Sequence, residues 1–207
     1  AVERVTAMTH YAEADSPRGV DWQNAQFLEA IGSLVVPACK SNSAALFRFG
    51  PNEESWVRPG IALYGASPMT DVPASSLGLK PVMTLKSGII GVQEIGIGER
   101  VGYGGTFTAN QHMKIGIVAG GYGDGYPRSM PNGTPVIVDG IRTCTVGRVS
   151  MDTLAVDLTD VPTGNVGSTV VLWGEGLPVD EVAQNAGTIG YELLTRLTAR
   201  VPVFCSD

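Results

Sequence analysis

Cysteine is scarce in this chain of 207 residues: there are three, Cys39, Cys144 and Cys205, and no CxxC pair. An odd, widely spaced set argues against a disulfide framework or a zinc site and reads as reduced cytosolic thiols. Histidine is scarcer still, with only His10 and His112, which argues against a protein-bound metal centre. Charge is thin at 16% of residues, and 14 Lys and Arg against 20 Asp and Glu leave a net charge of -6. That balance lacks the basic face that nucleic acid or an anionic membrane surface requires. No apolar run reaches about 18 residues, so no transmembrane helix is expected, and no signal peptide opens the chain. An initiator Met is also missing. The chain starts at Ala1 and runs at once into strand-like sequence, which suggests a fragment of a longer protein.

What the chain does hold is apolar residues, at 43%, together with 27 Gly and 13 Pro. Such a composition builds a sizeable core and an open, turn-rich plan. Two textures follow one another. Up to about residue 65, short apolar runs alternate with helical segments. A strand is expected at Val5 to Met8, a helix at Asp21 to Ile31 and a strand at Leu34 to Val36. In the helix, Asp21 is the N-cap, Ala25, Leu28 and Ile31 form the inner face, and Gly32 is the stop. A short helix capped by Ser41-Asn42-Ser43 and a third strand at Trp56 to Arg58 complete a βαβαβ order. That order implies parallel strands, with the loops of interest at their C-terminal ends. Beyond about Lys80 the segments alternate apolar with polar residues, and Asp139-Gly140 between two such runs is a hairpin signal. The fold class expected is α/β plus all-β: a partial (β/α) barrel segment over residues 1–79, then a mostly antiparallel β domain over residues 80–207. A Pro/Ser/Gly-rich stretch, Ser67 to Gly78, joins the two.

Several segments could carry chemistry. His10 sits where a strand meets its loop, a rim where catalytic groups concentrate in barrel folds; for a lone His, a hydrogen-bonded strand-end histidine is the favoured reading. Ser41-Asn42-Ser43 and Pro59-Gly60-Ile61 offer hydroxyls and free backbone N–H groups that can cradle a phosphate, or simply cap helices. Arg58, flanked by Val57 and Pro59, must be paired or aimed at a ligand, because an unpaired buried charge is costly. An ion pair with a nearby carboxylate accounts for it as well as a ligand does. Gly102-Tyr103-Gly104 sets a phenol among bare backbone that lets another surface come close, unless it is only a hairpin tip. The run from Gly120 to Tyr126 is too irregular for a dinucleotide loop. In Gly147-Arg148-Val149-Ser150-Met151-Asp152 a soft Met stands beside a carboxylate.

In combination, these segments resemble the alanine racemase family over essentially the whole chain. The resemblance rests on Asn42-Ser43, Val57 to Gly65, Gly102-Tyr103-Gly104, Gly121 to Gly125, Gly147 to Asp152 and Tyr191-Glu192-Leu193-Leu194. It implies an N-terminal β/α barrel, a β-rich C-terminal domain, pyridoxal 5'-phosphate as cofactor and interconversion of L- and D-alanine. By the same resemblance, Ser43 and the Gly60 and Ile61 backbone N–H groups hold the cofactor phosphate and Asn42 belongs to the cofactor site, while Arg58 faces the pyridine nitrogen and His10 stands beside the ring, bonded to Arg58. Tyr103 is one of two catalytic bases, and Tyr122 and the Met151 backbone contact the substrate. A cytoplasmic homodimer with shared active sites, supplying D-alanine for peptidoglycan, is also implied. The family's Schiff-base lysine has no counterpart among Lys40, Lys80, Lys86 and Lys114. The chain is therefore expected to be a C-terminal portion, inactive alone. A broader-specificity racemase, a decarboxylase of the same fold and an inactive dimerisation fragment remain the alternatives.

Overall fold

A computed structural model describes residues 1–50 and 56–205. The polypeptide divides into two compact units, Ala1–Val82 and Met83–Asp207.

The first unit is built on three parallel strands in sequential order, β1 (Ala7–Met8), β2 (Ala38–Asn42) and β3 (Trp56–Arg58). Helices α1 (Asp21–Ile31) and α2 (Ser43–Phe49) follow β1 and β2, so the three strands run the same way and end on the same side. The second strand is not the apolar run Leu34 to Val36. Leu34 is exposed and Val35 completely so, and pairing falls on Ala38–Asn42, in register with Ala7 and Met8. The reason lies in alternation: Cys39 and Ser41 point inward while their neighbours do not, whereas three consecutive apolar residues cannot all face one side of a strand. Val5 likewise stays outside β1 and is exposed.

Helix α1 spans the expected residues and stops at Gly32, whose N–H donates to the Leu28 carbonyl. Its cap and its inner face differ from expectation. Val20 is the N-cap, with no side-chain capping bond, and the buried residue is Phe27, whereas Leu28 is exposed. Polar residues set the rotation. Asn24 Oδ1 accepts from the Tyr11 hydroxyl at 3.2 Å and from Lys40 Nζ at 3.0 Å, and Gln23 bonds the backbone of His10 and Ala12. The stretch Ser67 to Gly78 is no loose tether either. Met69 packs with Tyr11, Ala14, Val20, Ala44 and Ala45, and the buried Ser67 hydroxyl donates to the Val72 carbonyl at 2.6 Å.

The second unit is a closed barrel of six antiparallel strands. They are β4 (Leu85–Ile95), β7 (Met113–Ala119), β8 (Pro135–Val138), β9 (Ile141–Val146), β10 (Thr153–Asp157) and β11 (Thr169–Trp173), ordered β10-β7-β4-β11-β8-β9. Strand β4 allows the closure. Its first half pairs with β11 and its second with β7, with register shifts between Ile89 and Gly91 and between Val171 and Trp173, and such irregularities bend a strand around a corner. Val118, Val136, Val138, Val156 and Val170 are fully buried. The turn at Asp139-Gly140 has both residues at positive φ, the geometry that suits a two-residue hairpin to strand twist. A small hairpin, β5 (Arg100–Val101) and β6 (Phe107–Thr108), packs on the barrel through Val101, Phe107 and Ala109. Two short helices, α3 (Val179–Asn185) and α4 (Gly190–Thr195), follow. Among the described residues, no helix is long and apolar enough to cross a membrane.

Leu154 is 3% exposed within β10, whereas Val166 lies in a turn and is 61% exposed. Leu154→Ala is therefore expected to lower the stability of the second unit by about 2–4 kcal/mol in urea unfolding, with an unchanged m-value. Val166→Ala should stay within about 0.5 kcal/mol of wild type.

Candidate functional site

In the first unit the candidate residues gather where the parallel strands end, the side on which α/β sheets bind ligands. Arg58 closes β3 and reaches across the ends of the other two strands. Its Nη1 donates to the Cys39 carbonyl at 3.0 Å and contacts Cys39 Sγ at 2.9 Å, and its Nη2 donates to the Thr9 carbonyl at 2.9 Å. The His10 Nδ1 stands 3.5 Å from the same Nη2. Because a guanidinium can only donate, that contact casts Nδ1 as an acceptor. No carboxylate pairs with Arg58 among the described residues, so backbone carbonyls, rather than an ion pair, hold this cation. Both terminal nitrogens are occupied, and the Nε–H has no partner among the described residues.

Asn42 and Ser43 lie together at the start of α2. The Asn42 amide is engaged at both ends: its oxygen accepts from the Ala45 N–H at 3.0 Å and its nitrogen donates to the Tyr11 carbonyl at 2.9 Å. It therefore braces the turn. Ser43 is 1% exposed, and its hydroxyl accepts from the Ala62 N–H at 3.3 Å. This bond ties the start of α2 to the helical turn Ile61–Tyr64 that follows β3. The first N–H groups of such a turn, those of Gly60 and Ile61, have no partner within it. A Cβ added to Gly60 would meet nothing within 4 Å, so no neighbouring atom crowds that residue.

In the second unit three loops are sewn together. Tyr103 sits at the tip of the β5–β6 hairpin, whose turn is held by Arg100, with Nε donating to the Gly105 carbonyl at 3.1 Å and Nη2 to the Gly104 carbonyl at 3.1 Å. Beneath it, Gly102 lies against the Gly147-Arg148 backbone, where an added Cβ would stand 2.8 Å from Arg148 N. Asn132 reinforces the seam, donating to the Thr106 carbonyl at 2.9 Å and accepting from the Gly147 N–H at 2.6 Å. The far end of the same loop meets the Gly121–Gly125 turn. There Tyr122 N donates to the Ser150 carbonyl at 3.0 Å and Gly123 N to the Met151 carbonyl at 2.9 Å. The result is a rigid cluster that holds three large side chains outward: Tyr103 is 69% exposed, Met151 52% and Tyr122 36%. The Tyr103 hydroxyl has no hydrogen-bond partner among the described residues.

Tyr126, in the same glycine-rich run, does the opposite job. It is buried against Trp173 with ring centroids 5.9 Å apart, and burial pushes its hydroxyl well above the usual phenol range. Beside the Tyr103 hairpin a cavity of about 410 Å³ is lined by Thr106, Arg128, Ser129, Asn132, Gly147 and Arg148. Neither arginine has a carboxylate partner among the described residues. Sequence reasoning missed Asn132 and Arg128, because neither falls within a glycine-rich segment. His112 is exposed, and among the described residues no group of three or more His, Cys, Asp or Glu side chains could hold a metal ion.

Comparison with known families decides the kinship. Residues 1–68 match the family model for the alanine racemase N-terminal domain, and residues 82–205 match that for the alanine racemase C-terminal domain. The chain belongs to the alanine racemase family. It is similar to the alanine racemase of Thiobacillus denitrificans, with 60% identity over 202 residues, 98% of this chain and 55% of the relative. It is also similar to that of Bordetella avium, with 55% identity over 205 residues, 96% of this chain and 55% of the relative. Among solved structures, the biosynthetic alanine racemase of Pseudomonas aeruginosa superposes with a TM-score of 0.91 at 47% identity, covering 97% of this chain and 57% of that one. The alanine racemase of Acinetobacter baumannii gives 0.89 at 46% identity, covering 95% and 56%. The chain thus spans about half the length of the curated alanine racemases it matches.

The loop seam makes a stability prediction. Gly102 has φ +75 as well as its close backbone neighbour, whereas Gly133 has φ +87 and open space around it. Gly133→Ala is expected to cost about 1–2 kcal/mol through its backbone conformation alone. Gly102→Ala should cost about 1–3 kcal/mol more by forcing two main chains apart. Equal losses in chemical unfolding would mean that the hairpin and the loop are not in backbone contact.

Proposed function

We propose that the whole protein interconverts L- and D-alanine by a two-base mechanism with pyridoxal 5'-phosphate, and that this chain supplies one of the bases and part of the cofactor site. Residues 1–79 then form the C-terminal part of a β/α barrel. The observation that carries this reading is the Tyr103 phenol, exposed and unpartnered at the tip of a braced hairpin whose foundations also hold out Tyr122 and Met151. Three large side chains held out together from one braced cluster suit reception by another surface. A homodimer with shared active sites accounts for all three, and the names of the relatives support alanine as the substrate.

The residues of the first unit fit the cofactor. A buried Ser43 hydroxyl, the free N–H groups of Gly60 and Ile61 and the uncrowded Gly60 suit a phosphate. Asn42 contributes by fixing Ser43 in place. The Arg58 Nε–H is a donor left over for a ring nitrogen. When bound, pyridoxal 5'-phosphate supplies an electron-withdrawing ring that stabilises negative charge at the substrate Cα. Arg58 moderates that effect, because a permanent cation beside the ring nitrogen disfavours its protonation. His10, next to Arg58, adds a further polar group at the same edge. Tyr103 moves a proton to or from Cα on one face. A phenol of ordinary pKa about 10 needs cationic neighbours to do so near neutrality, and Arg58 has the required sign. Tyr122 and the Met151 backbone narrow the space for the side chain toward a methyl group. Arg128 and Arg148, with no carboxylate on either among the described residues, favour approach of a substrate carboxylate. The site serves a cytoplasmic supply of D-alanine for peptidoglycan.

The test is racemisation by the whole purified protein, with deuterium exchange at Cα followed from each enantiomer. Tyr103→Phe is expected to lower racemisation by about 10²–10⁴-fold and to abolish exchange from one enantiomer far more than from the other. Equal loss from both would remove Tyr103 from a one-face role, and an inactive wild type would overturn the assignment. Arg58→Glu, by reversing the charge beside the ring nitrogen, should produce a new long-wavelength absorbance band and a transamination by-product. An unchanged spectrum would place Arg58 away from the ring.

A further inference from the structure

We infer that Arg200 is a positioning residue that clamps the Tyr122 turn to the Met151 loop and thereby sets the width of the substrate pocket; this rests on the reading that Tyr122 and Met151 contact the substrate. Arg200 holds two carboxylates at once. Its Nε lies 3.2 Å from Asp124 Oδ1, and its Nη2 donates to Asp152 Oδ1 at 2.6 Å. Asp124 belongs to the Tyr122 turn, where its other oxygen accepts from the Gly121 N–H at 2.8 Å. Asp152 directly follows Met151, and its carbonyl accepts from the Gly120 N–H at 2.8 Å.

The segment carrying Arg200 is itself anchored to that turn. Thr198 N donates to the Asp124 carbonyl at 3.1 Å, and its hydroxyl donates to the Gly123 carbonyl at 3.0 Å. The guanidinium then lies over Gly123, where an added Cβ would meet Nη1 at 2.4 Å. Backbone bonds sew the two loops along one side, and Arg200 closes the other.

Charge gives the clamp its force. One guanidinium keeps two carboxylates side by side; without it they face each other as like charges, and relief comes by opening the gap between the loops. The ion pairs are exposed, with half the Arg200 side chain and 63% of that of Asp152 in water, so they add little to global stability. Their effect should therefore appear in substrate binding and not in the unfolding temperature.

In the whole protein, Arg200→Ala should raise KM for alanine about tenfold, with kcat within about threefold, and should improve the relative use of serine. Arg200→Gln should behave alike while keeping the packing over Gly123. Adding Asp152→Asn to Arg200→Ala removes one of the opposed charges and should recover most of the loss in KM. A KM unchanged in both Arg200 variants, kcat falling in step with KM, or no recovery in the double variant would each overturn the clamp. Tyr122→Ala separates the two failures. If it leaves KM and the serine preference as in wild type, the substrate-contact reading falls and the clamp falls with it.

Discussion

Close approach of one main chain to another is the constraint on which the second unit's exposed face depends. Where Gly102 meets Arg148, and Gly121 meets Ser150 and Met151, an added Cβ would stand 2.8 Å and 2.2 Å from backbone atoms. Only hydrogen fits. That proximity allows the Tyr122 and Gly123 N–H groups to reach the Ser150 and Met151 carbonyls, and it makes three loops behave as one solid piece. Large side chains projecting from such a piece lose little rotational freedom when they dock. Exposed loops are usually mobile; these are the exception, because their backbone groups are spent on one another.

In the first unit the same accounting of polar groups runs through a side chain. Arg58 donates to the Thr9 carbonyl, just past the end of β1, and to the Cys39 carbonyl within β2, which also accepts from the Thr9 N–H. The guanidinium is thus both a tie across the sheet and a fixed charge beside His10. A lysine there could not satisfy carbonyls of two strands in one plane, since its single nitrogen lacks the fork.

Much of this was legible in the sequence, and the misses have physical causes. The Asp139-Gly140 turn was readable because only Gly and a few polar residues tolerate positive φ, so the constraint is local. The motif segments were readable as a set, and several lie where backbone crowding or a strand end leaves few residue types possible. The strand at Ala38–Asn42 was not. An apolar run beside it carried the stronger hydrophobic signal, yet pairing with Ala7 and Met8 and alternate burial decided the register. The inner face of α1 was misread because Gln23 and Asn24, not apolar residues, turn it toward the strand ends. Asn132 and Arg200 were missed for a third reason: each joins segments far apart in the chain, through bonds that no spacing rule encodes.

Closure of the six-stranded barrel bears on how copies of this molecule can meet. Every one of its strands already has a neighbour on each side, so its ladders present no row of spare donors and acceptors to a newcomer. Edge-to-edge templating, by which sheets recruit further chains and drift toward fibrils, has no starting point there. At the barrel, association is left to loops and side chains, whose fit is finite and whose growth stops once it is satisfied.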